Sequence, residues 1–289
     1  MEIDEEKILS GKIVSKKIKE DLKIEVDKLK EKGVIPKLAV IMVGDDEASK
    51  VYVRNKSKAC DQVGVNFEEF LLPENTTEKE LFNLIDRLNE DKTVNGILLQ
   101  SPIPKHLDQN KAFRRIDPDK DVDGFNPVNV GDLCIGNDCF ISCTPFGIMK
   151  ILEYYNIDIE GKNAVVLGRS NIVGKPMVQC LLSKHATVTV CHSRTKNLKS
   201  ITSNADILVA AIGKPKYVKK DMVKEGSVII DVGINRNEDG KICGDVDYKE
   251  VLPKVSKITP VPGGVGPMTI AMLLYNLVKA TKKQLKIKD

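Results

Sequence analysis

The sequence of 289 residues lacks several features that would place a protein in a class at once. No apolar run approaches the length of a membrane span, and the acidic start, MEIDEEKILSG, contains no apolar core. The seven cysteines, an odd number, include no C-x-x-C pair, which argues against a disulfide framework in so long a chain. We therefore expect a cytoplasmic protein with free thiols, with neither a membrane nor a nucleic acid as partner.

Residues that commonly bind metals are few or poorly spaced. The three histidines fall in no catalytic or metal-binding spacing: His106, His185 and His192. Three cysteines lie close together, but their spacing matches no zinc pattern: Cys134, Cys139 and Cys143. We therefore expect no metal site.

The composition is that of a globular protein, with 42% hydrophobic and 30% charged residues. The length allows one large or two ordinary domains, and no internal repeat interrupts it. The formal charge of +4 comes partly from the lysine-rich end TKKQLKIKD, which is typical of a solvated helix end. Composition thus indicates a class of protein and no function.

The most informative stretch is GKNAVVLGRSNIVGKPM, residues 161–177. Ala164 to Leu167 is a short apolar, β-branched run that predicts a buried strand, and Gly168 ends it. Gly174 and Pro176 then suit the entry to a helix. A strand, a glycine turn and a helix outline a dinucleotide-phosphate site, because backbone N–H groups at a helix start can approach a pyrophosphate. The pattern is G-x-S-x-x-x-G rather than G-x-G-x-x-G, so a plain tight turn remains an alternative.

Three further apolar runs follow at helix-length spacings. They predict strands at Ala186 to His192, Asp206 to Ile212 and Ser227 to Val232. Strands that alternate with helices predict a doubly wound parallel sheet, whose carboxyl ends form a ligand crevice.

The first half also alternates strands with helices. It predicts an amphipathic helix from Ile8 to Lys32, a helix that begins near Glu47, a helix from Thr77 to Asn89, and strands at Leu38 to Val43, Asn66 to Leu72 and Gly96 to Leu99. The segment IDPDKDVDGFNP, residues 116–127, is dense in Asp and Pro and is the predicted crossing between domains. A helix from Cys143 to about Tyr155 comes next.

Polar residues at four positions suggest chemistry. Tyr52 and Lys56 form Y-x-x-x-K, a spacing that puts a phenol and an ammonium on one helix face. Short-chain dehydrogenases use this spacing, but their glycine turn precedes it, whereas Gly168 follows it by more than a hundred residues. Gln100 at a strand end and Asp123 in the crossing segment lie where ligand sites form. An interfacial tyrosine with a solvated lysine, and turn or cap residues, are the alternatives.

Residues 260–267, PVPGGVGP, contain three prolines and three glycines. Such a composition fixes an unusual backbone path, which is hard to explain as a mere linker. It leads directly into an apolar helix predicted from Ile270 to Lys279.

Six motifs in order span essentially the whole chain: YVRNK at 52–56, QSP at 100–102, DVDG at 121–124, GRSNIVG at 168–174, DVGIN at 231–235 and PVPGGVGPMT at 260–269. Together they resemble the bifunctional methylenetetrahydrofolate dehydrogenase/methenyltetrahydrofolate cyclohydrolase family. PVPGGVGPMT and DVDG are highly specific to it, whereas Y-x-x-x-K alone is not. Ser101 departs from the pattern, in which a larger apolar residue follows the glutamine, and this leaves the shape of the pterin pocket open.

The resemblance implies two reactions in one cleft between two domains. The methylene carbon of the folate passes a hydride to NADP, and water then opens the cationic methenyl product to 10-formyltetrahydrofolate. The chain would thus be an oxidoreductase and a hydrolase of one-carbon metabolism, which serves purine biosynthesis.

The resemblance also implies roles by position. Lys56 is the general acid and base, Gln100 holds it, Tyr52 packs on the pterin, and Asp123 accepts hydrogen bonds from the pterin N–H edge. Further substrate contacts are implied for Ser101, Pro102, Pro262, Gly263 and Gly264. The implied cofactor contacts are Gly168, Arg169, Ser170, Gly174, Ser193 and Ile234.

A preference for NADP follows from the end of the second strand of the nucleotide fold. An acidic residue there would accept hydrogen bonds from the ribose 2′-OH, but the chain has Cys-His-Ser-Arg-Thr at 191–195 and no acid. The resemblance points to Arg169 and Ser193 as contacts of the 2′-phosphate. Arg194 is a second candidate, or a solvated surface residue.

The expected architecture is α/β with two domains. Residues 1–146, completed by a C-terminal helix at 268–289, form a catalytic, folate-binding α/β domain, and residues 147–267 form a Rossmann-like NADP-binding domain. The resemblance further suggests a homodimer through the NADP-binding domain. Two rival interpretations remain. One is a dehydrogenase of another substrate class, such as a hydroxy acid, which would need a histidine or arginine pair in the cleft. The other is a non-catalytic nucleotide-binding regulator.

Overall fold

The computed structural model describes residues 5–237 and 239–287, and the chain divides into two compact units. The first comprises Lys16–Ser142 and the chain from Ile270 onward, and we call it the three-stranded unit after its sheet. The second comprises the described residues up to Ser15 together with Cys143–Thr269, and we call it the five-stranded unit.

The described residues form ten strands and ten α-helices. The strands are β1 Lys37–Val43, β2 Asn66–Leu72, β3 Gly96–Leu99, β4 Asn163–Leu167, β5 Thr187–Cys191, β6 Ile207–Ala210, β7 Val228–Asp231, β8 Asn235–Arg236, β9 Ile242–Cys243 and β10 Lys257–Ile258. The helices are α1 Gly11–Glu31, α2 Glu47–Val63, α3 Glu78–Glu90, α4 Gln109–Arg115, α5 Pro127–Ile135, α6 Cys143–Tyr154, α7 Gly174–Leu182, α8 Leu198–Thr202, α9 Tyr248–Val251 and α10 Val265–Gln284.

The three-stranded unit has a parallel sheet of order β2-β1-β3. The central strand β1, KLAVIMV, is apolar after its first residue because both of its faces are covered. Local signals fix where helices begin. At the start of α3, the Thr77 side chain accepts from the Glu80 N–H, and the Glu80 carboxylate accepts from the Thr77 N–H, which together form a capping box. Asp46 caps α2 in the same way by accepting from the Ser49 N–H at 2.7 Å.

The five-stranded unit has a parallel sheet of order β10-β7-β6-β4-β5. The chain enters the sheet at β4 and moves first to β5 on one side and then to β6 and β7 on the other. This reversal makes a doubly wound sheet, whose ligand crevice lies where the order turns, at the carboxyl ends of β4 and its neighbours. The predicted α/β class and the Rossmann-like sheet are confirmed.

The structure differs from the sequence prediction at the chain start. The first helix begins at Gly11 rather than Ile8, because Ile8 forms a parallel bridge with Ile258 and Leu9 N–H donates to the Ile258 carbonyl at 2.9 Å. The opening residues therefore pack with the five-stranded unit, although residues 1–146 are the predicted catalytic domain. Residues 116–127, the predicted crossing, lie within the three-stranded unit, and the division falls between Ser142 and Cys143. The limits of the functional domains stay a prediction.

Two further properties concern the whole of the described chain. None of its helices combines the length and the apolar character needed to cross a membrane. Each of the seven cysteines carries a thiol, as expected.

Candidate functional site

A lysine and a glutamine meet at the carboxyl end of the three-stranded sheet. Lys56 lies on α2, and Gln100 follows the last residue of β3. The Lys56 Nζ donates to the Gln100 Oε1 at 2.6 Å. The Gln100 Nε2 donates to the Ser101 carbonyl at 2.7 Å, so the amide presents its oxygen to the lysine. Gln100 is buried, and its N–H donates to the Ile41 carbonyl at 2.8 Å, which fixes its backbone to the central strand.

Tyr52 lies one helical turn before Lys56, as the Y-x-x-x-K spacing predicts. Tyr52 is 47% exposed, whereas the neighbouring Val53 is buried. The peptide bond between Ser101 and Pro102 is cis, and Pro102 is exposed. The three-stranded unit thus presents an aromatic ring and a lysine on one helix face.

Asp123 lies in a loop that runs beside β3. The Ile97 N–H donates to the Lys120 carbonyl at 2.8 Å, and Asp121 forms a parallel bridge with Ile97. The chain turns directly after this bridge, since the Gly124 N–H donates to the Asp121 carbonyl at 3.1 Å, and Asp123 lies within this turn. Asp123 is half-buried. The next residue, Gly124, has φ +71°, and a Cβ there would lie 2.6 Å from a carbonyl oxygen, which explains the glycine of DVDG.

Two buried charges hold this loop. The Asp121 carboxylate accepts from the Asn126 N–H at 2.8 Å and from the Asn129 Nδ2 at 2.9 Å. Burial raises the pKa of Asp121 to about 6. The Lys120 Nζ donates to three carbonyls at the end of α3, those of Leu88, Asn89 and Asp91. These contacts were not predicted from the sequence, although DVDG contains Asp121.

The glycine turn of the five-stranded unit is closely wound. Gly168 follows β4 with φ +127°, and a Cβ there would lie 2.2 Å from the Ala211 carbonyl oxygen. A Cβ on Gly174, the first residue of α7, would lie 2.4 Å from the Gly168 carbonyl oxygen. The Ser170 Oγ accepts from the Gly174 N–H at 3.3 Å. Each glycine of G-x-S-x-x-x-G is therefore needed for its own close backbone contact, Gly168 with Ala211 and Gly174 with Gly168. Arg169 and Ser170 are exposed.

The end of β5 carries hydroxyl and guanidinium groups. Cys191 is buried, whereas Ser193 and Arg194 are exposed. The Arg194 N–H donates to the His192 Nδ1 at 3.2 Å, so His192 shapes this turn. The turn carries no carboxylate, as the sequence indicates.

The glycine-proline loop is supported by the start of the chain. The Val261–Pro262 peptide bond is cis, and Gly263 has φ +108°. The Lys12 N–H donates to the Gly263 carbonyl at 3.1 Å, and a Cβ on Gly11 would lie 1.8 Å from the Gly264 carbonyl oxygen. Gly263 and Gly264 are buried, whereas Pro262 is exposed.

Ile234 lies near the end of this loop. A Cβ on Gly266 would lie 3.8 Å from the Ile234 Cδ1, and the Ile234 side chain is 55% exposed. The supporting role of Gly11 was not predicted, because glycine at a helix start has no distinctive sequence signal.

These features define a class of protein, an α/β enzyme with two parallel sheets, one of which has a nucleotide-binding turn. Comparison with known proteins defines the family. The family model described as tetrahydrofolate dehydrogenase/cyclohydrolase, catalytic domain, matches residues 9–123. The model described as the NAD(P)-binding domain of the same family matches residues 142–285.

Individual relatives agree with these matches. The bifunctional protein FolD of Campylobacter concisus is 59% identical over 279 residues, which are 96% of this chain and 99% of that protein. The crystal structure of the bifunctional enzyme FolD, methylenetetrahydrofolate dehydrogenase/cyclohydrolase, from Campylobacter jejuni has a TM-score of 0.95 and 53% identity, covering 96% of this chain and 98% of that one. The FolD structure from Trypanosoma brucei, complexed with NADP cofactor and inhibitor, has a TM-score of 0.92 and 37% identity, covering 96% and 98%.

The chain belongs to the tetrahydrofolate dehydrogenase/cyclohydrolase family. The expected bifunctional activity is confirmed: it is a methylenetetrahydrofolate dehydrogenase and a methenyltetrahydrofolate cyclohydrolase of one-carbon metabolism. The two rival interpretations, a hydroxy-acid dehydrogenase and a non-catalytic regulator, are therefore wrong.

Proposed function

We propose that Lys56 is the proton carrier of this enzyme, which oxidises 5,10-methylenetetrahydrofolate and hydrolyses the methenyl product to 10-formyltetrahydrofolate. The observation that carries the proposal is the 2.6 Å hydrogen bond from the Lys56 Nζ to the Gln100 Oε1. Hydrolysis requires a proton to leave the attacking water and another to reach the ring nitrogen when its bond to carbon breaks. A lysine that alternates between ammonium and amine can do both.

Gln100 suits this role because its acceptor is neutral. A carboxylate in the same place would hold the ammonium form by charge, whereas an amide oxygen orients the lysine and still lets it lose a proton. The cationic methenyl group also disfavours a second positive charge beside it. Gln100 is therefore proposed as a positioning residue for Lys56.

Roles are also proposed for the remaining substrate contacts. The exposed ring of Tyr52 is proposed to pack on the pterin, and the Asp123 carboxylate to accept hydrogen bonds from the pterin N–H edge. Further substrate contacts are proposed for Ser101, Pro102, Pro262, Gly263 and Gly264. Ser101, smaller than the family's usual residue, would leave more room next to Gln100.

The glycine turn fits a dinucleotide. Only glycine fits at positions 168 and 174, because a Cβ at either would collide with backbone. The turn can therefore wind tightly and let a phosphate come close to the N–H groups at the start of α7. We propose that Gly168, Ser170 and Gly174 hold the pyrophosphate, and that Ile234 contacts the nicotinamide half. The bound cofactor supplies the hydride acceptor of the oxidation.

The choice of NADP over NAD is proposed from the exposed groups around the turn. The Arg169 guanidinium and the Ser193 hydroxyl would bind a 2′-phosphate, and no acid at the end of β5 would repel it. Arg194 is a second candidate for this contact.

A homodimer through the five-stranded unit is proposed from its edge strand β5. The strand TVTVC has no charged residue, and the Val190 side chain is 40% exposed. The edge strand of the other sheet, β2, carries Glu68 and Glu69, charges that hinder edge pairing. A cytoplasmic location is proposed because seven thiols suit a reducing compartment.

The proposed function is tested by following NADPH formation from NADP and methylenetetrahydrofolate, and the hydrolysis of methenyltetrahydrofolate in a second assay. The parent should perform both reactions. Lys58→Met, which removes an exposed lysine of the same helix, should leave both rates unchanged. Absence of either reaction in the parent would contradict the proposal.

A further inference from the structure

Asp245 is a fully buried carboxylate that binds two separate chain segments. Its Oδ2 accepts from the N–H groups of Ile212 at 2.7 Å and Gly213 at 3.0 Å, and its Oδ1 accepts from the Lys214 N–H at 2.8 Å. The same Oδ1 accepts from the Asn235 Nδ2 at 2.9 Å. One side chain thus receives four N–H donors, the number that a carboxylate can accept.

Asp245 is itself held by a second buried acid, Asp231. The Asp231 Oδ1 accepts from the Asp245 N–H at 2.8 Å, and the Asp231 Oδ2 accepts from the Val246 N–H at 3.0 Å. Two glycines make room for the pair: a Cβ on Gly244 would lie 1.8 Å from the Asp231 Oδ2, and one on Gly233 would lie 2.2 Å from the Asp245 Oδ1. The arrangement therefore explains why DVGIN and GDV carry both an acid and a glycine.

The segments that Asp245 binds follow the carboxyl ends of strands of the five-stranded sheet, where a nucleotide is expected. Residues 212–214 come soon after β6, and Asn235 comes soon after β7. The carboxyl ends of parallel strands in a doubly wound sheet form the ligand crevice. Asn235 is next to Ile234, a proposed cofactor contact, and a Cβ on Gly168 would touch Ala211, the residue before Ile212.

We infer that Asp245 is a positioning residue for the dinucleotide site, which holds the loop 212–214 and the segment 234–235 in the conformation that binds the cofactor. The inference rests on the proposed function, because it takes the nucleotide to lie at these strand ends. An asparagine at 245 would have nearly the same shape, but its NH₂ group would face N–H donors, which would repel it.

The first test is Asp245→Asn, with NADP affinity measured by titration and hydrolysis of methenyltetrahydrofolate measured without cofactor. We expect NADP binding to weaken about ten- to a hundredfold, since several charge-assisted hydrogen bonds are weakened. Hydrolysis should stay within about twofold, because its proposed proton carrier, Lys56, lies in the three-stranded unit and substitutions that share no partner act independently. Unchanged NADP affinity would overturn the inference, and so would an equal loss of both, which indicates a general structural role.

A matched control is Asp247→Asn, two residues along the same segment. Its carboxylate accepts from the Lys219 Nζ at 2.8 Å rather than from loop amides, so NADP affinity should stay at the parent level. If the parent does not hydrolyse methenyltetrahydrofolate, the proposed function is contradicted, whereas the inference about Asp245 is not.

Hydrogen exchange gives a second test that does not need the variant to fold. In the parent without cofactor, the amides of Ile212, Gly213 and Lys214 should exchange slowly because Asp245 binds them. Addition of NADP should slow the exchange of 212–214 and 234–235 further. If the addition of NADP changes the exchange rate of neither segment, the inference is overturned.

Discussion

The Lys56 Nζ and the Gln100 Oε1 lie 2.6 Å apart, although 44 residues separate them in the sequence. The contact joins the helix that follows β1 to the end of β3, two elements that a parallel sheet brings together at its carboxyl edge. The glutamine amide is fixed from its other side by the Ser101 carbonyl. The Gln100 oxygen therefore orients the Lys56 side chain, and a positioned side chain is a requirement for proton transfer to a bound substrate.

Asp123→Asn should weaken folate binding more than NADP binding. The carboxylate is assigned to the pterin edge, and a charge-assisted hydrogen bond contributes roughly 1.5 to 3 kcal/mol. Titration of the variant with a folate and with NADP separates the two effects. Equal weakening of both ligands would mean that the substitution disturbs the loop that Asp121 holds, rather than a substrate contact.

NADP should be preferred to NAD, and Arg169→Ala should reduce that preference by about ten- to a hundredfold, the effect of losing one charge-assisted contact to a 2′-phosphate. Steady-state kinetics with each cofactor measure the preference. Arg194→Ala, in the exposed turn after β5, serves as the comparison and shows whether one arginine or both contribute. Equal use of NAD and NADP by the parent would refute the argument for a phosphate site.

Burial raises the pKa of Asp231 from 3.8 to about 7. The folded chain therefore binds this proton more tightly than the unfolded chain, and the stabilisation is lost as the pH rises through 7. The free energy of unfolding of the parent, relative to Asp231→Asn, should fall between about pH 5 and about pH 8. Urea unfolding at both pH values measures this difference. A difference that grows with pH would show that the three N–H donors to the Asp231 carboxylate, those of Gly233, Asp245 and Val246, outweigh burial.

Asp221→Asn is the control for this pH effect. The Lys199 Nζ lies 2.6 Å from the Asp221 carboxylate and lowers its pKa below 3.8. Both its folded and unfolded forms are then ionised throughout the range from about pH 5 to about pH 8, so this variant should show no pH trend.

Val190→Lys should convert the proposed dimer to a monomer, because it places a charge on the exposed face of the edge strand β5. Sedimentation of the variant measures its mass. Leu71→Lys, a change of similar size at a 58% exposed position on β2, should leave the mass of the dimer unchanged. A parent that sediments as a monomer would contradict the homodimer.

The strands β1 to β7 were predictable because their signal is local, whereas β8, β9 and β10, of two residues each, escaped prediction. Runs such as Leu38 to Val43 are apolar over a strand's length and lie within one or two residues of the observed bounds. The short helices α4 and α5 escaped prediction for different reasons. α4, QNKAFRR, is too short to show an apolar period, and α5, PVNVGDLCI, is interrupted by a glycine. The helix α10 begins earlier than predicted, at Val265, since its first turn lies within the glycine-proline loop.

The candidate site was predictable where residues of one motif act together. The spacing of Tyr52 and Lys56 is a property of a single helix, and the glycines of the turn after β4 mark close backbone contacts. The supports of the site were not predictable, because they are long-range. Nothing in the sequence next to Asp245 indicates that it binds residues 212–214, and nothing near Gly11 indicates that it lies against Gly264.

The central claim is that Lys56 carries the proton in hydrolysis, and Lys56→Met tests it most directly. General acid and base groups contribute about 10²- to 10⁴-fold, so hydrolysis of methenyltetrahydrofolate should fall by that factor while NADP affinity stays at the parent value. Hydrolysis within a few-fold of the parent, with Lys58→Met as the control, would contradict the account.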